Sequence, residues 1–168
     1  MGWNVVGYGS LMSHDSLRET IGDKRFIPVL VKGYKRIFDI NRIKGENSDI
    51  LNLEKSPKSK FNAIMFSVSD KELEKLRKRE DGYELEQIPV YHFKSKDKLG
   101  NCFVFVDRID LDKTMLPSKS YFLLCREAAY HINKKFGQVW DETTFVSTGE
   151  KVSDWLKEHE EYDCLDED

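Results

Sequence analysis

Apolar positions along this chain gather in short runs rich in β-branched and aromatic residues. They are WNVVGY (Trp3 to Tyr8), FIPVLVKGYKRIFDI (Phe26 to Ile40), ILNL (Ile50 to Leu53), FNAIMFSV (Phe61 to Val68), EQIPVYHF (Glu86 to Phe93) and CFVFV (Cys102 to Val106). Such runs bounded by polar and turn-forming residues predict strands. Gly33 inside the second run predicts a bulge or bend, SPKSK predicts a turn between the third and fourth, and KSKDKLGN predicts a hairpin between the last two.

Helical spacing interrupts the strands at four places. Ser13 offers an N-cap for a short helix whose Leu17 and Ile21 share a face and whose Gly22 stops it. Ser69-Asp70-Lys71-Glu72 is a capping box, followed by Leu73 and Leu76, and that helix ends near Glu80, Asp81 and Gly82. After Pro117 and Ser118, residues Tyr121, Cys125, Ala128, Ile132 and Phe136 line up on one helical face, with Gly137 as the expected stop. A last helix around Val152 to His159 buries Trp155 and Leu156. Strand runs broken by a few helices, without βα alternation, indicate an α+β fold with a mainly antiparallel or mixed sheet curled toward a barrel.

Length and composition then narrow the class. A chain of 168 residues suits one domain with a self-sufficient core. Residues 1–157 are expected to form it, and 158–168 an acidic, solvated tail, because EHEEYDCLDED carries seven acids and no Lys or Arg. Removing the tail turns the formal charge of −3 into a body of about +4, which suits a small anionic ligand better than nucleic acid. No apolar run approaches the ~20 residues of a membrane helix. MGWNVVGYGS lacks the pattern of a secretory signal. Three cysteines (Cys102, Cys125 and Cys164), none in a CxxC pair, point to a reducing, cytoplasmic setting.

Several familiar chemistries drop out. His14, His92, His131 and His159 are scattered and form no zinc-ligand spacing, so no metal is expected. GYGSLM lacks the third glycine of a dinucleotide loop and the Lys-Ser/Thr ending of a P-loop. Ser10 is not framed as GxSxG, and Cys125 falls mid-helix on an apolar face. Two features remain. The turn at Tyr8-Gly9-Ser10-Leu11 reads either as a tight glycine turn or as a cradle of backbone N–H groups for an anion. Glu80 reads either as a surface acid or as a general base at a helix C-terminus, where the dipole raises a carboxylate's pKa and the neighbouring Arg77, Lys78 and Arg79 oppose that rise.

Taken together, VVGYGSLM, LRKREDGYELEQIPVY and PSKSYFLLCREAA resemble the γ-glutamylcyclotransferase family in order and separation, from Trp3 to about Leu156. The resemblance implies a small mixed α+β barrel-like sheet with flanking helices, and a cofactor-independent enzyme. Its reaction converts a γ-glutamyl amine or γ-glutamyl amino acid into 5-oxoproline and a free amine. It implies Glu80 as general acid/base, with Asp81 as the alternative should the alignment slip by one. The backbone of Tyr8, Gly9, Ser10 and Leu11 is implied to hold the γ-glutamyl part, with Tyr121 near the pocket and Tyr83 as support behind the base.

One departure bears on substrate choice. The glutathione-specific ChaC-type branch carries a histidine-arginine-glycine stretch where this chain has GYKRIFDINR, which sets it closer to the broad bacterial-type members. A non-catalytic domain of the same fold, binding a small carboxylate or a partner, is the alternative. A nucleic-acid surface built from KSPKSK and KLRKR is disfavoured by the interspersed acids.

Overall fold

The computed structural model describes residues 2–40, 48–108, 111–112 and 116–165. Asn41 and Arg42 of the GYKRIFDINR stretch and Asp166 to Asp168 of the acidic segment lie outside the described residues.

Five strands close into a barrel. β1 (Trp3–Gly7) lies between β3 (Ser48–Val68), to which it is antiparallel, and β5 (Lys98–Val106), to which it is parallel. β5 pairs antiparallel with β4 (Glu84–His92), β4 with β2 (Ile27–Ile40), and β2 back with β3, which joins the sheet's two edges. Short strands β6 (Leu116–Pro117) and β7 (Thr144–Phe145) extend β3 and β2 in parallel. This is the α+β, mainly antiparallel barrel that the strand pattern predicts.

The turn predicted at SPKSK is instead part of β3. Register with β2 jumps from Lys32↔Lys60 to Tyr34↔Lys55, so Ser56 to Ser59 bulge out opposite Gly33, pinned by a 2.6 Å bond between the Ser56 and Ser59 hydroxyls. The strand bends without reversing, because the extra residues are absorbed on one side of a continuous ladder.

Helices α1 (His14–Ile21) and α2 (Asp70–Arg79) form as the sequence predicts. Ser13 Oγ accepts from Ser16 N, and the Ser69/Glu72 box is closed in both directions. The third helix differs. α3 (Lys119–Ile132) ends at Asn133, whose extended backbone breaks the helix and whose side chain accepts from Phe136 N to cap a new one, α4 (Lys134–Thr143). Gly137 is therefore inside α4 and stops nothing. A Cβ on it would lie 2.3 Å from Tyr130 Cγ, so its smallness admits the Tyr130 ring between the two helices. The inward face of α3 is Phe122, Cys125, Arg126 and Ala129, with Tyr121, Ala128 and Ile132 at its margins.

α5 (Val152–Trp155) and the turn Leu156–Glu158 supply the expected Trp155 and Leu156 to the core. Beyond them, Tyr162 and Asp163 of the acidic segment pack against the rest of the chain. Tyr162 is buried against Phe122 and Trp155, its hydroxyl donates to Pro117 O at 2.9 Å, and Asp163 accepts from Arg126 at 2.8 Å. One aromatic ring buried in a groove outweighs the repulsion of its acidic neighbours.

Candidate active site

The first turn of the chain sets the site. β1 buries Val5 and Val6, and the chain then leaves the barrel end through Tyr8 and Gly9 into a single 3₁₀ turn, Ser10–Met12. Leu11 and Met12 point into the core and anchor the turn. Met12 N–H and Ser13 N–H bond back to Gly9 O and Ser10 O, which leaves the N–H groups of Ser10 and Leu11 without a partner inside the turn. Tyr8 is buried and donates its hydroxyl to Phe105 O at 2.5 Å, tying the turn's entrance to β5.

Glu80 is the C-cap of α2, held by a 2.8 Å bond from its N–H to Leu76 O and a 3.0 Å bond from Tyr83 N–H to its own carbonyl. Its side chain is 16% exposed, which excludes an ordinary surface glutamate. Asp81, the alternative base, is exposed on the turn beyond and does not line the cavity.

One cavity of about 190 Å³ brings these groups together. Tyr8, Gly9, Ser10 and Leu11 form one wall, Glu80 with Arg79 and Tyr83 another, Tyr121 a third, and Ile50, Leu51 and Phe105 an apolar end. All six predicted site residues face the same space, although Tyr121 and Glu80 come from helices distant in sequence from the turn. The size suits a ligand on the scale of one amino acid, below the ~300–1,000 Å³ of sites for drug-sized molecules.

Burial raises the Tyr8 phenol well above its ordinary pKa, and Tyr83 and Glu80 add to the rise. Burial does the same to Tyr121, reinforced by Cys125, Tyr83, Tyr8 and Glu80. Both rings therefore stay protonated near neutral pH, as neutral donors around an acidic side chain.

Sequence reasoning missed Arg79 as part of the site. Read with Lys78 and Arg77 as one of several flanking charges, it is turned inward while those two remain exposed. Its guanidinium donates to Ser16 O, Ser16 Oγ, Thr20 Oγ1 and Ser10 Oγ at 2.6–3.1 Å, and its Nε stands 3.6 Å from Glu80 Oε1. A signal was present in the spacing: Leu73 and Leu76 fix the buried face of α2, and position 79 falls on it. Among the described residues no group of three or more His, Cys, Asp or Glu is arranged to hold a metal ion, and no helix is long and apolar enough to cross a membrane.

The model of the ChaC-like protein family matches residues 3–121, well over half of the sequence. The chain belongs to the ChaC-like family. The matched region of this ChaC-like protein runs from β1 to Tyr121 and so includes every predicted site residue. The sequence alone set it nearer the broad bacterial-type members than the ChaC-type branch; the family match sets it with the ChaC-like proteins. No curated protein matches in sequence.

Solved structures share the fold. A γ-glutamyl cyclotransferase superposes with a TM-score of 0.71 at 15% identity, covering 94% of this chain and 99% of its own. An uncharacterised human protein gives 0.72 at 14% identity, over 94% and 97%. A yeast γ-glutamyl cyclotransferase specific to glutathione gives 0.56 at 13% identity, over 92% and 99%.

Proposed function

We propose that this ChaC-like protein is a γ-glutamyl cyclotransferase-type enzyme that releases 5-oxoproline and a free amine or amino acid from a γ-glutamyl compound. Family membership supports the class of activity. The observation that carries the reading is that Glu80 and the stretch Tyr8 to Leu11, about seventy residues apart in sequence, face one cavity of amino-acid size.

The N–H groups of Ser10 and Leu11 grip the substrate's α-carboxylate, the kind of anion that open backbone donors favour. The nucleophile is the substrate's own α-amine, tethered to the γ-carbonyl it attacks, so fixing a reactive conformer does much of the catalytic work. Glu80 takes a proton from the α-nitrogen. The new C–N bond closes a five-membered lactam, the old C–N bond breaks, and Glu80 returns the proton to the departing amine. Tyr8 and Tyr121 keep the wall beside the base uncharged, so no second ionised group competes for the ammonium there. The apolar end at Ile50, Leu51 and Phe105 receives the leaving group. The route uses no metal or cofactor.

The test is to incubate the protein with a panel of γ-glutamyl amines, amino acids and glutathione and to measure 5-oxoproline. Glu80→Gln is expected to lower kcat by about 10²- to 10⁴-fold, the usual worth of a positioned acid/base. Full activity in Glu80→Gln moves the base elsewhere. Saturable binding without turnover in the wild-type chain favours the non-catalytic alternative.

A further inference from the structure

We propose that Arg79 is the positioning residue of this site, setting the distance between the turn that grips the substrate and the carboxylate that moves its proton. The inference rests on the cyclotransferase reading and adds a residue which that reading does not need for its chemistry. Arg79 closes α2, one position before Glu80. Its Nη1 donates to Ser16 O at 2.7 Å and Thr20 Oγ1 at 3.1 Å, both on α1. Its Nη2 donates to Ser16 Oγ at 2.6 Å and to Ser10 Oγ at 3.1 Å, the latter inside the turn. A single planar cation thus joins the gripping turn, the helix that follows it and the helix that carries the base.

Nε lies 3.6 Å from Glu80 Oε1, an ion-pair contact longer than a hydrogen bond. Both Nη atoms are committed to α1 and Ser10, so the contact of Arg79 with Glu80 is the ion pair through Nε alone. Ser10 Oγ, by accepting from Arg79, keeps its own hydroxyl proton for a ligand in the cavity it lines. Only a rigid fork of N–H groups spans these acceptors; a lysine ammonium in the same place supplies charge without the span.

A geometric role and a charge role separate in steady-state kinetics of 5-oxoproline release by the full chain, comparing wild type with Arg79→Lys and Arg79→Ala. Misplacing the gripped substrate relative to its base is felt in the transition state, so kcat is expected to fall by about 100-fold in both variants while KM moves by less than about threefold. Guanidinium ion at sub-denaturing concentration is expected to restore part of the kcat of Arg79→Ala, and sodium at equal ionic strength is not. Arg79→Lys at wild-type kcat, or a loss carried wholly by KM, overturns the inference. Failure of Arg79→Ala to fold leaves the decision to the kcat of Arg79→Lys, whose fold is checked by its thermal midpoint. A wild-type chain that releases no 5-oxoproline overturns the cyclotransferase reading and the inference together; an active one with unaffected Arg79 variants overturns the inference alone.

Discussion

The phenol oxygen of Tyr121 occupies the space where a side chain on Gly9 would begin: a Cβ built on Gly9 lies 2.5 Å from it. The next nearest atoms, Tyr121 Cζ and Leu51 Cβ, are 3.6 and 3.7 Å away, which is ordinary contact. The glycine in the turn is therefore matched to one atom of α3, and the turn's place in the cavity depends on that contact.

Gly9→Ala is expected to destabilise the protein by about 1–3 kcal/mol, the usual cost of overpacking a tight site. Removing the oxygen opens the space, so Gly9→Ala in a Tyr121→Phe background is expected to cost much less. The double-mutant cycle in urea unfolding should give a coupling of about 1 kcal/mol or more. Additive effects would mean that the turn and α3 are independent.

How much of this was legible in advance depends on the range of the interaction. The Ser13 cap, the Ser69/Glu72 box and the strand runs are local signals, and each appears where the sequence places it. Gly137 misled because a glycine after an apolar helical face has two readings, a stop or a close approach, and only the position of Tyr130 in space decides between them. Asn133, which ends α3 and starts α4, carried the local signal that the glycine obscured. Arg36 is harder still: a polar residue in GYKRIF that belongs, in pattern, on an outer face. It is fully buried between Phe61 and Trp140, bonded to Asn62, Thr143 and Thr144, partners far along the chain. At the site, the turn and Glu80 were legible as separate candidates, and the family resemblance joined them. Arg79 could be placed on the buried face of α2 from its spacing, but its contacts, to Ser10 in the turn and to Ser16 and Thr20 on α1, arise only in the folded chain.

Alkaline titration offers a second test of the buried phenols. Tyr130 donates to Asp141 Oδ2 at 2.6 Å, and burial together with that carboxylate pushes its pKa up to about 12, while Tyr8 and Tyr121 are raised well above 10 mainly by burial. A raised tyrosine pKa means that between the unfolded and folded values the native state holds the proton and the unfolded state has lost it. These groups therefore contribute stability that is complete below about pH 10 and is lost as pH rises above it, through about 12 for Tyr130. Phenolate absorbance is expected to lag in the native protein relative to the denatured chain. Tyr130→Phe should reduce the fall in unfolding free energy over that interval, and an unchanged slope would remove Tyr130 from the account.

The acidic C-terminal segment distinguishes two views of how charge and burial compete. Seen as composition, residues 158–168 are a solvated tail, and substitutions there should stay within about 0.5 kcal/mol of wild type. Seen in the structure, Tyr162 fills a groove between Phe122 and Trp155, and its hydroxyl bonds Pro117 O. Tyr162→Phe is expected to cost about 1 kcal/mol, the worth of one hydrogen bond. Tyr162→Ala should cost about 3–5 kcal/mol for an emptied aromatic site. Asp163→Asn should cost less than about 1 kcal/mol, because Asp163 is half exposed and Arg126 keeps its paired contact with Asp141. Urea unfolding of the three variants checks the order. A flat series would free the segment from the core, whereas the graded one makes Tyr162 the anchor that holds residues 158–163 against the barrel's helical flank.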